Sequence, residues 1–193
     1  MENAIYGFPP VGNPDSLMLI LGSMPGQASL SAGEYYAHPR NAFWKIISLL
    51  SGSQPEPSYA SRLKLLTTGR IALWDVLSSC IRSGSLDADI VPSSIIANDF
   101  LSFFRAHPGI TRVCFNGAHA ETSYRKHVLP TLGREFDHLE YLRLPSTSPA
   151  NATLPFEQKF LAWQKALAPP QQIPPPAPSQ PCPIPCPDFF LNH

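Results

Sequence analysis

Short apolar segments alternate with helix-like patterns along most of this chain, and this alternation limits the fold more than any other feature. The segment Leu17-Met18-Leu19-Ile20-Leu21 is too short for a typical helix and is closed by Gly22, which is typical of a buried parallel strand. Similar segments follow at 70–74, 111–115 and 139–143. The alternation predicts a three-layer α/β/α sandwich around a short, mostly parallel four-stranded sheet.

The segments between these strands carry the apolar spacing of amphipathic helices. Helices are predicted at 41–51, 58–67, 94–106, 117–128 and 155–167. Asn41 is a candidate N-cap of the first helix, and Ser93 or Ser94 of the third, because their side-chain oxygens can accept the free N–H groups of a first helical turn. The last helix has a continuous apolar stripe that includes Phe160 and Trp163.

Proline separates the end of the chain from the rest. Of 193 residues, 23 are proline, and the stretch 169–193 is mainly proline with Gln, Ala and Ser. Such a composition buries too little apolar surface to fold, so we expect one domain at 1–168 followed by an extended, disordered tail. Docking of a partner protein through PxxP-type segments of the tail stays open, although a featureless extension is favoured.

The charge balance argues against a non-specific nucleic-acid coat. The chain has 14 basic and 14 acidic residues and no net charge, so it lacks a whole-protein basic field, although a local basic groove remains compatible with this balance. We find no N-terminal targeting signal and no apolar run of membrane-spanning length. A soluble intracellular protein is therefore expected, in the cytoplasm or nucleoid, or in the nucleus, depending on the organism.

The four cysteines do not predict a metal site. Cys80 and Cys114 lie in apolar surroundings and are expected to be buried, reduced thiols. Cys182 and Cys186 fall in the proline-rich tail, and the spacings do not match the common zinc motifs. Metal binding is therefore not expected.

A glycine loop follows the first predicted strand, where open α/β sheets bind ligands. It reads Gly22-Ser23-Met24-Pro25-Gly26, and its proline and glycines allow a sharp turn that brings backbone N–H groups close to a polar ligand. The segment 35–44, Tyr-Tyr-Ala-His-Pro-Arg-Asn-Ala-Phe-Trp, comes soon after. Its aromatic, His and Asn side chains suit a pocket for a planar heterocycle. Alternatively, Asn41 only caps a helix and the aromatic residues only pack.

Polar residues also follow the other three predicted strands. Asp75 follows the second strand, Asn116 and Gly117 the third, and a loop rich in hydroxyls, 144–151, the fourth. The loop could hold a phosphate through its O–H and N–H donors, or it could simply precede the last helix. Asp75 could instead cap a turn, Asn116 could belong to a tight turn, and His119 is expected to be an exposed helix residue.

Three of these segments, in this order, carry a family resemblance. They are Gly22-Ser23-Met24-Pro25-Gly26, His38-Pro39-Arg40-Asn41-Ala42-Phe43-Trp44 and Leu144-Pro145-Ser146-Thr147-Ser148-Pro149-Ala150-Asn151. Over about residues 5–168 the chain resembles the uracil-DNA glycosylase superfamily, and within it the hypoxanthine-DNA (deoxyinosine) glycosylase branch. The resemblance implies a uracil-DNA glycosylase-like fold and a DNA repair enzyme that hydrolyses the N-glycosidic bond of a flipped, deaminated base, without a metal or organic cofactor.

Two positions depart from the uracil-excising relatives. Met24 stands where those relatives carry an Asn that positions the attacking water, and Leu144 stands where many carry a His that contacts the base oxygen. The deoxyinosine branch lacks both groups and is similar to this chain in relying on the Asn of the His-Pro-x-Asn segment, which here is Asn41. The resemblance therefore favours a deaminated purine, hypoxanthine, over uracil as the substrate.

The resemblance also implies roles for individual residues. Asn41 and Ser23 are the expected catalytic residues. The expected base-binding residues are Gly22, Met24, Tyr36, Asp75 and Asn116, with Tyr36 stacking on the base and Asp75 and Asn116 contacting its edge. The expected DNA-binding residues are Ser146, Thr147, Ser148 and Asn151. Arg40 and Arg143 are candidate basic contacts, and the partner is double-stranded DNA bound by a monomer. No lysine nucleophile is placed, so a monofunctional hydrolase is expected.

Three alternatives remain at this point. The first is a uracil or mismatch-type glycosylase of the same superfamily. The second is a non-catalytic DNA or nucleotide binder, which Met24 and Leu144 would suit. The third is an interaction protein that acts through its proline-rich tail.

Overall fold

The computed structural model describes residues 4–54 and 58–168. The proline-rich tail, with Cys182 and Cys186, lies outside the described residues, so the predictions for it and for the domain boundary stay predictions. The strands are β1 (Ala4–Tyr6), β2 (Met18–Gly22), β3 (Ile71–Asp75), β4 (Leu77–Ile81), β5 (Ile96–Ala97), β6 (Arg112–Asn116) and β7 (Glu140–Leu144). The helices are α1 (Gln27–Ala32), α2 (Phe43–Leu50), α3 (Tyr59–Thr68), α4 (Phe100–Ala106), α5 (Ala118–His127) and α6 (Phe156–Leu167).

The predicted parallel four-stranded sheet is confirmed, in the order β3-β2-β6-β7. Each strand lies one residue later in the chain than predicted. In register, Gly22 is paired with Asp75, and Asn116 is paired with Leu144. The carboxyl ends of all four strands therefore meet at one edge of the sheet.

Two apolar clusters cover the two faces of this sheet, which confirms the three-layer arrangement. Leu19, Leu21 and Phe115 face α4 and α5 in one cluster. Ile20 and Leu73 face α2, α3 and α6 in the other. Because successive side chains of a strand point to opposite faces, a strand covered on both faces is apolar throughout, as β2 is.

A second, antiparallel sheet of order β1-β4-β5 was not predicted from the sequence. Its strands β1 and β5 have three and two residues, too few to show an alternating pattern. Strand β4 begins two residues after β3 ends and pairs with β1, with Ala4 opposite Ile81. This sheet places the segment after β4 next to the glycine loop.

Two predicted helix starts are wrong. The helix expected from residue 94 begins at Phe100, because Asp99 accepts a hydrogen bond from the Ser102 N–H at 3.0 Å and caps it. Asn41 lies one residue before the cap position of α2, which is Ala42, yet its Oδ1 accepts the Phe43 N–H at 3.0 Å. Asn41 thus makes a capping hydrogen bond to the first helical residue, although it is not the N-cap residue itself. The short helix α1 was not predicted.

The two cysteines within the domain, Cys80 and Cys114, are buried and free, as predicted. Nowhere among residues 4–54 and 58–168 does a helix have both the length and the apolar character needed to cross a membrane.

Candidate active site

A cavity of about 180 Å³ opens at the carboxyl edge of the parallel sheet. A cavity of about 150 Å³ is enough to hold a benzene ring, so this one has room for a single planar heterocycle. All the predicted site residues except Asn151 line it. Asn151 lies on an adjoining cleft of about 670 Å³, together with Ser146, Ser148, His119 and Arg143. The structure therefore brings the three motifs and the strand-end residues together, as the sequence predicts.

Asp75 forms part of the buried floor of the cavity. It ends β3, is 3% exposed, and its Oδ2 has no hydrogen-bond partner among the described residues. Burial raises the pKa of Asp75 to about 7, with a further upward contribution from the Asp87 carboxylate and a downward one from the Arg82 guanidinium. A buried carboxyl group without a partner is costly unless a ligand or water satisfies it. Asp75 is therefore poised to bond a polar ligand.

Tyr36 supplies a second buried polar group without a partner. Its ring stacks on Phe43 with centroids 4.1 Å apart, and its hydroxyl has no hydrogen bond among the described residues. Burial, with the neighbouring Asp75 carboxylate, raises the pKa of this phenol well above its usual value, so it is an O–H donor at any physiological pH. The backbone of Tyr36 has a φ of 54°, a strained conformation for a bulky side chain that is common at functional sites.

Gly22 leaves room for the Asp75 carboxyl group and the Tyr36 hydroxyl at the floor of the cavity. A Cβ at this position would collide with Asp75 Oδ1 and would lie 3.1 Å from the Tyr36 hydroxyl. Only a residue without a side chain leaves that space open.

Asn41 lies at the wall of the cavity beside His38. Its backbone N–H donates to the His38 carbonyl at 2.8 Å, and its Oδ1 accepts from the Phe43 N–H. The amide nitrogen makes no hydrogen bond to any other described residue. Because Oδ1 is engaged, the orientation of the amide is fixed, and its N–H donors remain for a ligand.

Asn116 and Thr147 line the cavity but are hydrogen-bonded to each other. The Asn116 Nδ2 donates to Thr147 Oγ1 at 2.9 Å, and the Thr147 N–H donates to Asn116 Oδ1 at 2.8 Å. Thr147 is 1% exposed. This burial does not favour a phosphate contact for Thr147, and the amide oxygen of Asn116 is already engaged; one N–H of that amide remains.

The loop 145–151 is held in place by two buried side chains of α6. The Trp163 indole N–H donates to the Pro145 carbonyl at 2.9 Å, and Lys159 Nζ donates to the Asn151 carbonyl at 2.6 Å. The Ser146 and Ser148 hydroxyls, which accept backbone N–H groups within the loop, keep their own O–H donors. The loop is thus a preformed set of donors at the rim of the cavity.

Arg82 and Asp87 belong to the site, although the sequence gives no role for either. The Ser23 hydroxyl donates to Asp87 Oδ2 at 2.6 Å, and Asp87 lines both the cavity and the adjoining cleft. Arg82, 5% exposed, donates to the Pro25 carbonyl. These contacts join the glycine loop to the segment after β4. Ser23 and Asp87 are 64 residues apart in the sequence, so no local sequence pattern predicts their contact.

The two departures from the uracil-excising pattern are both buried apolar residues. Met24 is 7% exposed and packs in the cluster under α4 and α5, although it also lines the cavity. Leu144 is 5% exposed, belongs to the opposite cluster, and faces the adjoining cleft rather than the cavity. Neither can orient water or bond a base oxygen.

Fold and site together define an α/β protein with a small cavity, large enough for one planar ring system, at the carboxyl edge of its parallel sheet. Comparison with known proteins agrees. The model of the uracil DNA glycosylase superfamily matches residues 9–168, and this chain belongs to that superfamily.

Similar proteins come from two species of Methanosarcina. The chain is 38% identical over 112 residues to a hypoxanthine DNA glycosylase of Methanosarcina barkeri. The aligned region covers 58% of this chain and 70% of that protein. It is 37% identical over 115 residues to a hypoxanthine DNA glycosylase of Methanosarcina acetivorans, covering 59% and 72%. A solution NMR structure from Methanosarcina acetivorans, assigned provisionally to uracil DNA glycosylases, has a TM-score of 0.70, 32% identity, and covers 86% of this chain and 97% of that one.

Proposed function

We propose that this protein is a monofunctional DNA glycosylase that hydrolyses the N-glycosidic bond of hypoxanthine in double-stranded DNA. The observation that carries the proposal is the floor of the cavity beside Gly22, where Asp75 Oδ2 and the Tyr36 hydroxyl are buried and have no hydrogen-bond partner among residues 4–54 and 58–168. The two Methanosarcina relatives named hypoxanthine DNA glycosylase support the same substrate.

The two unpartnered groups match the edge of hypoxanthine. Hypoxanthine presents an acceptor, O6, beside a donor, N1–H, whereas adenine presents the opposite pattern. The Tyr36 hydroxyl donates to O6, and the ionised Asp75 carboxylate accepts from N1–H. Adenine would place its N1 acceptor opposite the ionised Asp75 carboxylate, so two acceptors would face each other without a hydrogen between them, and a site built to bond a polar edge rejects ligands that lack it.

The base must leave the duplex before it can enter this cavity. Extrusion costs a few kcal/mol, and less for a mispaired base such as hypoxanthine opposite thymine. The hydroxyls of Ser146 and Ser148 and the side chain of Asn151 bind flanking phosphates along the adjoining cleft. Arg143 on that cleft is 61% exposed at its side chain, and Arg40 is exposed near the cavity, so both can add phosphate contacts.

Asn41 acts on the reaction by position rather than by proton transfer. Breaking the glycosidic bond leaves cationic character on the sugar and negative charge on the departing purine. The fixed amide N–H of Asn41 and the backbone N–H groups of the glycine loop stabilise that negative charge. An amide has no useful proton affinity, so water must lose its proton elsewhere.

A panel of duplexes, each with a single inosine, xanthosine, deoxyuridine or adenine, tests the substrate. We expect release of hypoxanthine first and no release of adenine, measured as strand cleavage after alkali under single-turnover conditions. Strong uracil release without hypoxanthine release would support the uracil-type alternative. Removal of residues 169–193 should leave hypoxanthine release unchanged, because no proposed site residue lies there.

Two substitutions at Asn41 separate its capping role from its catalytic one. Asn41→Ala removes both the cap oxygen and the amide N–H, whereas Asn41→Ser keeps an oxygen that can cap the helix. We expect hypoxanthine release to fall by at least about 10²-fold in both variants, since loss of a transition-state donor has this size. Full activity in Asn41→Ser would contradict the catalytic role.

A further inference from the structure

Ser23 does not use its hydroxyl hydrogen for the cavity that it lines. That hydrogen is donated to Asp87 Oδ2 across 2.6 Å, in a contact that is partly buried. A hydroxyl has one hydrogen and two lone pairs, so the Ser23 oxygen can only accept from any group placed in the cavity. Ser23 is thereby an acceptor fixed at the wall of a site to which Asn41 and Tyr36 present donors.

Arg82 keeps Asp87 at this distance from the glycine loop. Its side chain is 0% exposed, and its guanidinium lies 3.6 Å from Asp87 Oδ1 while donating to the Pro25 carbonyl. The glycine loop and the Asp87 carboxylate thus both contact the buried Arg82 guanidinium. Nη1 of Arg82 has no hydrogen-bond partner among the described residues and lies at ion-pair distance from Asp87, so the attraction between these two charges favours a position of Asp87 beside the glycine loop.

We propose that Asp87 is a positioning residue that acts through Ser23 to hold the attacking water and to accept its proton; this inference rests on the proposed function. The water donates a hydrogen bond to Ser23 Oγ. Its oxygen bonds C1′ of the sugar while the C1′–N9 bond breaks and that electron pair leaves with hypoxanthine. The water proton moves to Ser23 Oγ as the Ser23 proton moves to Asp87. Asp87 then loses a proton to solvent, and hypoxanthine takes one up from solvent.

This arrangement supplies what the neighbouring residues lack. Met24 has no group that orients water, and Asn41 offers donors rather than a proton acceptor. Asp75 lies on the floor, where the proposed function uses it for the base. Among the carboxylates of the described residues that line the cavity, Asp87 is the one joined to a hydroxyl on the wall.

The test combines Asp87→Asn, Ser23→Ala and the double variant, with Asp89→Asn as the matched control. Asp89 belongs to the same short turn, Asp87–Asp89, but is exposed and does not line the cavity. We expect single-turnover hypoxanthine release to fall about 10²-fold in Asp87→Asn, the size of a lost proton acceptor, and to stay within twofold in Asp89→Asn. Binding to a duplex with uncleaved 2′-fluoro-2′-deoxyinosine should change less than threefold.

The double variant distinguishes action through Ser23 from a separate effect. If Asp87 acts through Ser23, adding Asp87→Asn to Ser23→Ala costs less than threefold more. A full 10²-fold further loss, or activity of Asp87→Asn within threefold of the parent protein, overturns the inference. If Asp87→Asn does not fold by thermal melting, Ser23→Ala alone decides, because unchanged release in that variant also overturns it. Absence of hypoxanthine release by the parent protein would instead reject the proposed function.

Discussion

Asn116 and Thr147 exchange two hydrogen bonds, of 2.9 and 2.8 Å, between the end of β6 and the loop that follows β7. Asn116 takes part through its side-chain amide, and Thr147 through its hydroxyl and its backbone N–H. The exchange joins the end of the inner strand β6 to the loop after its neighbour β7, so the position of that loop at the cavity depends on this pair.

Thr147→Val should therefore destabilise the protein. Valine keeps the shape but leaves the partly buried Asn116 Nδ2 without its acceptor, at a cost of about 1–3 kcal/mol in the free energy of unfolding. Urea denaturation measures the loss. Thr68→Val, at the exposed end of α3, is the matched control and should change the free energy by less than about 0.5 kcal/mol. Equal effects of the two substitutions would mean that the pair contributes no net stability.

Asp75 should make the protein less stable as the pH rises. Its folded-state pKa is about 7 against an ordinary value of 3.8, so between these values the folded protein holds a proton that the unfolded chain has released. Folding stability from this group is full below about pH 4 and is lost as the pH rises through 7, by a few kcal/mol. Chemical denaturation of the parent protein and Asp75→Asn across pH 4 to 8 measures it. The difference between the two curves should follow this slope, and parallel curves would contradict it.

Gly22→Ala should close the floor of the cavity. The new methyl would collide with Asp75 and crowd the Tyr36 hydroxyl, and forcing a methyl group into packed surroundings costs about 1–3 kcal/mol. Hypoxanthine release should fall at least about tenfold beyond any loss of folded protein, measured as single-turnover rate per folded molecule. Gly133→Ala is the control, because a methyl there would meet Glu135 at an ordinary 3.7 Å. A fully active Gly22→Ala would show that the base does not reach this floor.

Lys159→Met should weaken DNA binding by loosening the loop 145–151. Lys159 is 5% exposed, and methionine keeps its buried aliphatic stem. The substitution removes the hydrogen bond to the Asn151 carbonyl. A hydrogen bond to a charged group contributes about 1.5–3 kcal/mol, so the Kd for an inosine duplex should rise about tenfold as the loop 145–151 loosens. Fluorescence anisotropy measures the Kd. Lys165→Met, on the exposed face of the same helix, should raise it far less if the contact rather than the charge matters.

The parallel sheet was predictable because its strands are buried on both faces. A strand such as β2 must be apolar throughout, and its end is marked by Gly22. The position of the cavity followed, since parallel strands with helical crossovers bring their carboxyl ends to one edge. Most of the residues that line it could therefore be named before any distance was known.

The rest of the site depends on contacts that leave no local pattern. The small antiparallel sheet carries Asp87 to Ser23 from 64 residues away, and neither residue type is unusual in its own segment. The Asn116 and Thr147 pair was likewise hidden, because each residue alone suits a ligand contact. Sequence spacing identifies the strand end on which a polar residue lies, but not whether a neighbouring side chain already satisfies it.

The last helix has a consequence for how the enzyme is made. A ribosome releases the chain from its first residue onward, so the parallel sheet is complete in sequence at Leu144, while Lys159 and Trp163, which hold the loop 145–151, emerge later. Nascent chains that stop before residue 156 would contain all the strands of the described residues and still lack both contacts that hold the loop. The two contacts that order this loop, the proposed DNA-binding rim, therefore form only after the whole sheet has been synthesised and has had the opportunity to fold.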